Sequence, residues 1–407
     1  MCKLSLEAVF SHNASHVTSE QTMNSDVFIV GGGPAGLAAA VALRLKGFRV
    51  TVADGARFPI DKACGEGLMP DAAAGLRALG VDPADGRGVI FRGIAFIDRN
   101  ARAEASFGSG RGLGVRRTVL HRMLAERAAQ LGVRIRWETP VERVRPGKVE
   151  AGASVIHCRW IIGADGQASR VRPWAGLDAY RRESTRFGFR QHFHAEPWTD
   201  LVEVHWGAGC QFFVTPVESS TVAVALLSRD PRLRIKRALA GFPELQRRLT
   251  GAAASRERGA LSAMRKLGCV ARDPYILVGD AAGSVDAVTG EGLSIAFQCA
   301  TVLAEALARE DLPSYQAAHA RIARCPALMG GLLLFLDRHR AARRAAVGAL
   351  AASPRLFSSL LNVHVRRQPL TAPAGNEIAA EGDADSSSSA PQGEFARWIQ
   401  LQHEETR

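Results

Sequence analysis

The sequence predicts an α/β fold: a Rossmann-like layered domain, a β-sheet domain inserted into it, and a C-terminal helical region. Three observations predict it. Strand-like and helix-like patterns alternate from residue 26 onward, a glycine-rich strand-to-helix turn opens the series, and a block of strands between Ala179 and Arg265 interrupts it. With 407 residues, 47% hydrophobic and 23% charged, the chain can bury a substantial core.

Composition also excludes several classes. The longest apolar runs, such as Gly330 to Leu336, fall far short of the ~20 residues of a membrane span. Seven scattered cysteines, odd in number and without a CxxC pair, argue against a disulfide scaffold or a zinc site, and a reducing cytoplasm is the expected location. The formal net charge is +12, yet Thr371 to the end carries seven acids and two arginines, so the basic excess lies in the body. A basic body calls for an anionic partner such as a phosphate-bearing cofactor or an anionic lipid. Nucleic acid fits poorly, because aromatics are only 6% of the chain and no zinc-finger, RNP-like or Lys-rich segment occurs.

The expected organisation is a disordered extension over 1–25, with Met23 a candidate translation start, and a first part of the nucleotide domain over 26–178. Strands near 85–110 would join the inserted sheet, which occupies 179–265. The nucleotide domain resumes over 266–312, a helical region covers 313–370, and an acidic tail rich in Ala, Gly, Pro and Ser is expected to be disordered over 371–407.

Taken in order, Asp26-Val-Phe-Ile-Val is a buried strand, and Gly31-Gly-Gly33-Pro34-Ala35-Gly36 is the Gly-x-Gly-x-x-Gly turn into the helix Leu37 to Lys46. Gly31 permits the tight turn, Gly33 lets a pyrophosphate approach the backbone, and Gly36 lets helix and strand pack closely. The helix N-terminus then meets the phosphates with unpaired N–H groups. The strand Arg49 to Ala53 ends at Asp54, 23 positions after Gly31, the place of the acid that holds ribose hydroxyls. An acid there favours FAD or NAD over NADP.

Two later segments decide between these. Trp160-Ile-Ile-Gly-Ala-Asp165-Gly166 is a strand ending in an acidic turn. Tyr275-Ile-Leu-Val-Gly279-Asp280 is another, leading through Gly290-Glu291-Gly292 into the helix Leu293 to Leu307. Amides at that helix start can face the flavin edge that becomes negative on reduction. With the first turn, these segments resemble the three fingerprints of the flavin-dependent aromatic hydroxylase and geranylgeranyl reductase superfamily, over about residues 26 to 330. The resemblance implies noncovalent FAD, with Asp280 at its ribityl or pyrophosphate region and Asp165 at the cofactor and nicotinamide donor, although simple turn capping would also explain either acid. Lys62-Ala-Cys64-Gly65-Glu66 resembles a segment of bacterial members beside the flavin ring, which makes Cys64 a packed neighbour rather than a nucleophile. Gly114-Val-Arg116-Arg117 resembles an arginine motif whose second arginine, here Arg117, contacts FAD phosphate. Only one nucleotide-fold fingerprint occurs, so NAD(P)H would visit transiently.

The departures are informative. Gly283 and Ala287 stand where hydroxylases carry His and Pro, which points toward reductase-like and biosynthetic branches. The Trp-x-Trp motif of halogenases is missing around Cys210 to Pro216, and Val214 stands where reductases often carry Trp.

In the inserted sheet, alternation puts Arg190, His192 and His194 on one face of a strand, and Glu203 and His205 on one face of the next. His192 and His205, the latter oriented by Glu203, are the candidate proton-transfer residues, since imidazole titrates near neutrality. Solvated or core histidines are the competing explanation.

Pro313 to Gln368 holds nine arginines, one acid and no lysine among apolar residues. It predicts either a helical cover with a solvated face or a peripheral contact with anionic membrane through Arg338, Arg340, Arg343 and Arg344 beside Leu333, Leu334 and Phe335. The leading functional expectation is monooxygenation of a lipophilic or aromatic substrate, phenolic or of polyketide type, with NAD(P)H and O₂. The alternatives are reduction of isoprenoid double bonds and a flavin-binding protein without catalysis.

Overall fold

Apolar β-branched runs with no polar face build the first layer. In the computed structural model, which describes residues 23–82 and 87–365, the strand Met23–Val30 lies at the centre of a sheet, paired in parallel with Ser154–Gly163 on one side and Val50–Ala53 on the other. Tyr275–Leu277 and Arg134–Arg136 extend it, also in parallel. Val27, Phe28 and Ile29 are fully buried, as a strand covered on both faces requires. The strand begins at Met23 rather than Asp26, because Met23 to Ser25 pair with Ile156 to Cys158. The expected N-terminal extension up to residue 22 and the acidic tail lie outside the described residues.

The helix Pro34–Leu45 follows the glycine turn, with proline in its first turn where a missing N–H costs nothing. It buries Leu37 to Leu43 against the sheet and the later helix Gly292–Ala308.

The second sheet is mixed and has eight strands. Its order is Gly283–Ser284, Arg258–Leu267, Tyr180–Phe193, Thr221–Ser228, Cys210–Glu218, Leu201–Trp206, Gly93–Asp98 and Ala101–Ser106. The last two strands thus come from the region near 85–110 and join through the parallel pair Leu201–Trp206 and Gly93–Asp98. Phe189, Phe193 and Phe212 pack with Ile235 and Leu245 of the short helices Ile235–Leu239 and Pro243–Leu249. Three helices, Leu312–Arg338, Arg340–Ala352 and Pro354–Val365, end the described residues, and Val347, Phe357 and Leu361 bury against Phe91, Ile94 and Val204. All described residues fall in one compact unit. No helix among them is long and apolar enough to cross a membrane.

Candidate FAD and substrate site

A cavity of about 880 Å³ begins at the glycine turn, passes under the inserted sheet and ends among the C-terminal helices. At its first end each glycine of the turn has a distinct constraint. Gly31 has φ +109°, and a Cβ there would stand 2.5 Å from the Ala164 carbonyl oxygen. A Cβ on Gly36 would stand 2.0 Å from the Gly31 oxygen. A Cβ on Gly33 would meet no atom within 4 Å, because this residue borders the cavity. Two glycines are therefore demanded by the fold, and the third leaves room for a ligand.

Polar groups converge on the same end. Asp54 accepts hydrogen bonds from the amides of Gly32 at 2.7 Å and Ala56 at 2.8 Å, and it borders the cavity. Asp165 accepts from Arg170 and Val171 through one carboxylate oxygen, capping a short helix, while its other oxygen is buried without a hydrogen-bond partner among the described residues. Turn capping and a place at the cavity are thus combined in one side chain. Asp280 opens onto the cavity, to which its side chain is exposed, while protein atoms surround it on its other sides. Burial pushes its carboxyl pKa upward, against the pull of Lys62, Arg117, Arg265 and Arg172. Arg117 borders the cavity, and its buried Nε, like that of Arg116, has no hydrogen-bond partner among the described residues; Arg116, outside the lining, pairs with Glu218 at 3.3 Å through its Nη1. Pro34, Ala35, Gly279, Gly290 and Gly292 complete this wall. The open Gly33 backbone, the unpartnered guanidinium nitrogen and the cluster of cations fit an anionic dinucleotide such as FAD.

Beside this end, the Cys64-Gly65-Glu66 segment is fixed by groups that the sequence does not connect. Glu66 is 3% exposed and takes a positive φ of 58°. One oxygen accepts from the Arg117 amide at 2.9 Å, and the other lies 2.6 Å from His192 Nε2. Arg190 lies 3.1 Å from His192 Nδ1. Since a guanidinium only donates, Nδ1 must accept and Nε2–H must donate to Glu66. Arg190 also pairs with Asp61, and Thr215 donates to the Gly65 carbonyl at 2.8 Å. Cys64 and Gly65 border the cavity between these anchors.

The residues expected to transfer protons are placed elsewhere. Val202 and Val204 line the cavity, so strand alternation turns Glu203 and His205 to the opposite face. There Glu203 accepts from Arg102 at 2.7 Å and Trp198 at 3.1 Å, with His205 Nε2 at 3.0 Å. Burial would raise the Glu203 pKa, but the His205 and Arg102 bonds hold it down at about 2. His192 lies on the correct side of its strand, yet both ring nitrogens are engaged and Glu66 stands between it and the cavity. None of the three lines the cavity. Glu291 likewise turns its side chain away, fully buried and 3.0 Å from His364 Nε2, so only the flanking glycines face the cavity.

Four further groups carry weight that sequence reasoning did not assign. Asp286, fully buried, caps the turn Ala287–Thr289 through the Val288 amide and binds Ser184 at 3.0 Å and Arg186 at 3.4 Å. Arg186 continues through Gln211 to Asp337, tying the inserted sheet to the helix Leu312–Arg338. Arg172 donates to the carbonyls of Gln167 and Ala281, joining the two acidic turns. His121, fully buried, has Nε2 2.7 Å from the Gly32 carbonyl and Nδ1 3.3 Å from the Ile60 amide, which it accepts. Burial lowers the His121 pKa, keeping the ring neutral in that clamp.

Beyond this end the walls are apolar: Phe96, Val204, Phe213, Leu227, Leu336 and Leu350 are among them. A dinucleotide turn opening onto an apolar chamber defines a flavoprotein oxidoreductase site. Residues 24–311 match the family model described as an FAD binding domain, and the chain belongs to that family as an FAD-dependent oxidoreductase. It is 28% identical over 323 residues to a menaquinone reductase of Mycolicibacterium smegmatis, covering 72% of this chain and 79% of that one. It is 27% identical to digeranylgeranylglycerophospholipid reductase 1 of Methanopyrus kandleri, over 70% of this chain and 80% of that one. A rifampicin monooxygenase of Rhodococcus hoagii matches at 29% identity over 36% of this chain and 33% of that one. Among solved structures, the flavin-dependent brominase Bmp2 superposes with a TM-score of 0.73 at 18% identity, covering 84% and 94% of the two chains, a likeness of fold.

Proposed function

We propose that this FAD-dependent oxidoreductase reduces a double bond in an apolar, isoprenoid-like lipid, with NAD(P)H as a transient reductant. The observation that carries this reading is the chamber itself. Most of its wall is aliphatic and aromatic, and the candidate bases His192 and His205 stand outside its lining, while the one imidazole that borders it, His364, is tied to Glu291 at 3.0 Å. Relatives along most of the chain act as reductases of menaquinone and of digeranylgeranylglycerophospholipid, both lipids. Bound FAD would supply the two-electron chemistry. The chain's own residues would do the rest. Gly31 to Gly36 and Arg117 would receive the pyrophosphate, Asp54 the ribose hydroxyls, and the aromatic walls would exclude water.

Monooxygenation is the second reading, favoured by the match to a rifampicin monooxygenase. Anaerobic incubation of the FAD-loaded protein with NAD(P)H and a polyprenyl lipid separates the two. Mass spectrometry should show a gain of two mass units without oxygen. A product formed only in air and heavier by one oxygen atom would replace reduction by monooxygenation.

A further inference from the structure

The described residues include nine large hydrophobic side chains that are well exposed, and six of them gather on two of the last three helices. Leu328, Leu332 and Phe335 recur at i, i+4 and i+7 on Leu312–Arg338, and Leu356, Leu360 and Val363 repeat that spacing on Pro354–Val365. Each triplet therefore forms one stripe along its helix. The middle residue of each stripe, Leu332 and Leu360, also lines the cavity, so the two stripes flank its outer mouth.

The exposed charge on these helices has one sign. Arg324 and Arg338 extend the first stripe at helical spacing, and Arg340, Arg344 and Arg355 are exposed on the following helices. No acid occurs from Arg338 to Val365. The structure corrects one part of the sequence expectation. Arg343 is 3% exposed and paired with Asp98 at 2.8 Å, and Leu333 and Leu334 are buried, so these three support the fold.

We infer that this mouth docks on an anionic lipid bilayer, with the two stripes entering the headgroup boundary and the exposed arginines contacting lipid phosphates. Exposed apolar stripes and exposed arginines on the same three helices match an anionic interface in both hydrophobicity and charge. The inference deepens the lipid-reductase reading by placing the substrate's entrance at the membrane, and it rests on that reading for the role of the entrance alone.

The test is co-sedimentation of the full FAD-loaded chain with vesicles of phosphatidylcholine, with and without phosphatidylglycerol. Binding should be at least about tenfold greater with the anionic lipid and should fall as salt rises. The variant Arg338→Gln/Arg340→Gln/Arg344→Gln/Arg355→Gln should lose about tenfold or more. Leu328→Ser/Phe335→Ser/Leu356→Ser/Val363→Ser, which spares the cavity lining, should also release the vesicles. Flavin absorbance retained by both variants confirms their fold. Equal sedimentation on both vesicle types, or binding untouched by the substitutions, overturns the inference. A concentration-dependent dimer abolished by the same variants without vesicle binding overturns it in favour of a second copy of the chain. Because sedimentation needs no turnover, vesicle binding without lipid reduction would sink the reductase reading alone.

Discussion

Asp280 and Glu66 are both acids at the cavity, and their surroundings give them opposite energetic roles. Its surroundings raise the Asp280 pKa despite four neighbouring cations, but the side chain is exposed to the cavity, so its charge adds no stability to the fold. The sign follows from linkage: a carboxyl whose folded pKa is raised destabilises the fold as pH climbs past its unfolded value. Asp280→Asn should therefore leave the melting temperature of the flavin-free chain unchanged or higher, while raising the FAD dissociation constant about tenfold, a trade of stability for function. Thermal denaturation and flavin titration read the two effects separately, and a lower melting temperature would contradict this account. Glu66, by contrast, compensates charge and satisfies donors. Glu66→Ala removes the acceptor of His192 and of the Arg117 amide and leaves Arg190 with less compensation. Breaking a buried pair from one side typically costs about 3–5 kcal/mol, which urea denaturation would measure. A loss below about 1 kcal/mol would mean that Asp61 alone suffices for Arg190.

At the scale of elements, the strand–turn–helix unit at residues 23–45 separates folding from binding within six residues. Gly36→Ala places a methyl group 2.0 Å from a backbone oxygen that cannot yield without moving the helix. It should lower the melting temperature of the flavin-free chain by several degrees and also weaken FAD binding, at a cost of about 2 kcal/mol or more. Gly33→Ala meets no atom of the protein within 4 Å, so the melting temperature should hold while FAD affinity falls at least tenfold. Equal melting temperatures for both variants would show that the turn tolerates a side chain at either place. Alternation does comparable work in the inserted sheet. Leu201–Trp206 offers its valines to the cavity and its Glu203–His205 pair to the opposite side. A shift of one residue in register would exchange those faces, so the parallel pairing with Gly93–Asp98 decides which chemistry the cavity meets.

For the molecule as a whole, buried ionisable groups set the response to acid. Burial holds the His319 pKa at about 4 and lowers that of His121. Histidines with depressed folded pKa values contribute full stability above the unfolded value of 6.5, and that stability is lost as pH falls below it, because the unfolded chain takes up protons first. Glu203, held at about 2, adds stability above 4.5 that is lost as pH falls toward 2. Urea denaturation should show about 1 kcal/mol less stability at pH 5.5 than at pH 8, with a second decline below pH 4.5. A flat profile from pH 8 to 5 would mean that neither histidine is held neutral by the fold.

The nucleotide half of this protein is legible because its determinants are local. A strand, a glycine turn, a helix and a terminal acid follow one another within some 30 residues, and Gly36 answers a steric demand set by Gly31 five positions earlier, although Gly31 itself packs on distant Ala164. Gly31 to Gly36 and Asp54 follow from that local pattern, whereas Arg117, Asp165 and Asp280 are suggested by resemblance of their short segments; all border the cavity or its turn. The remainder was decided by contacts between distant segments. Glu66 meets His192 across 126 residues, and Arg186 joins Asp286 across 100. Whether a histidine is a free base or a tie depends on which partner the fold brings to its second nitrogen, and local periodicity cannot express that. The same holds for the arginines of the C-terminal helices. Arg343 and Arg344 are adjacent in sequence, but the turn of the helix buries one against Asp98 and leaves the other in solvent. Sequence determined the cofactor because each piece of its cradle is a short run of consecutive residues, and tertiary structure decided the substrate chamber because its walls are single residues drawn from every part of the chain.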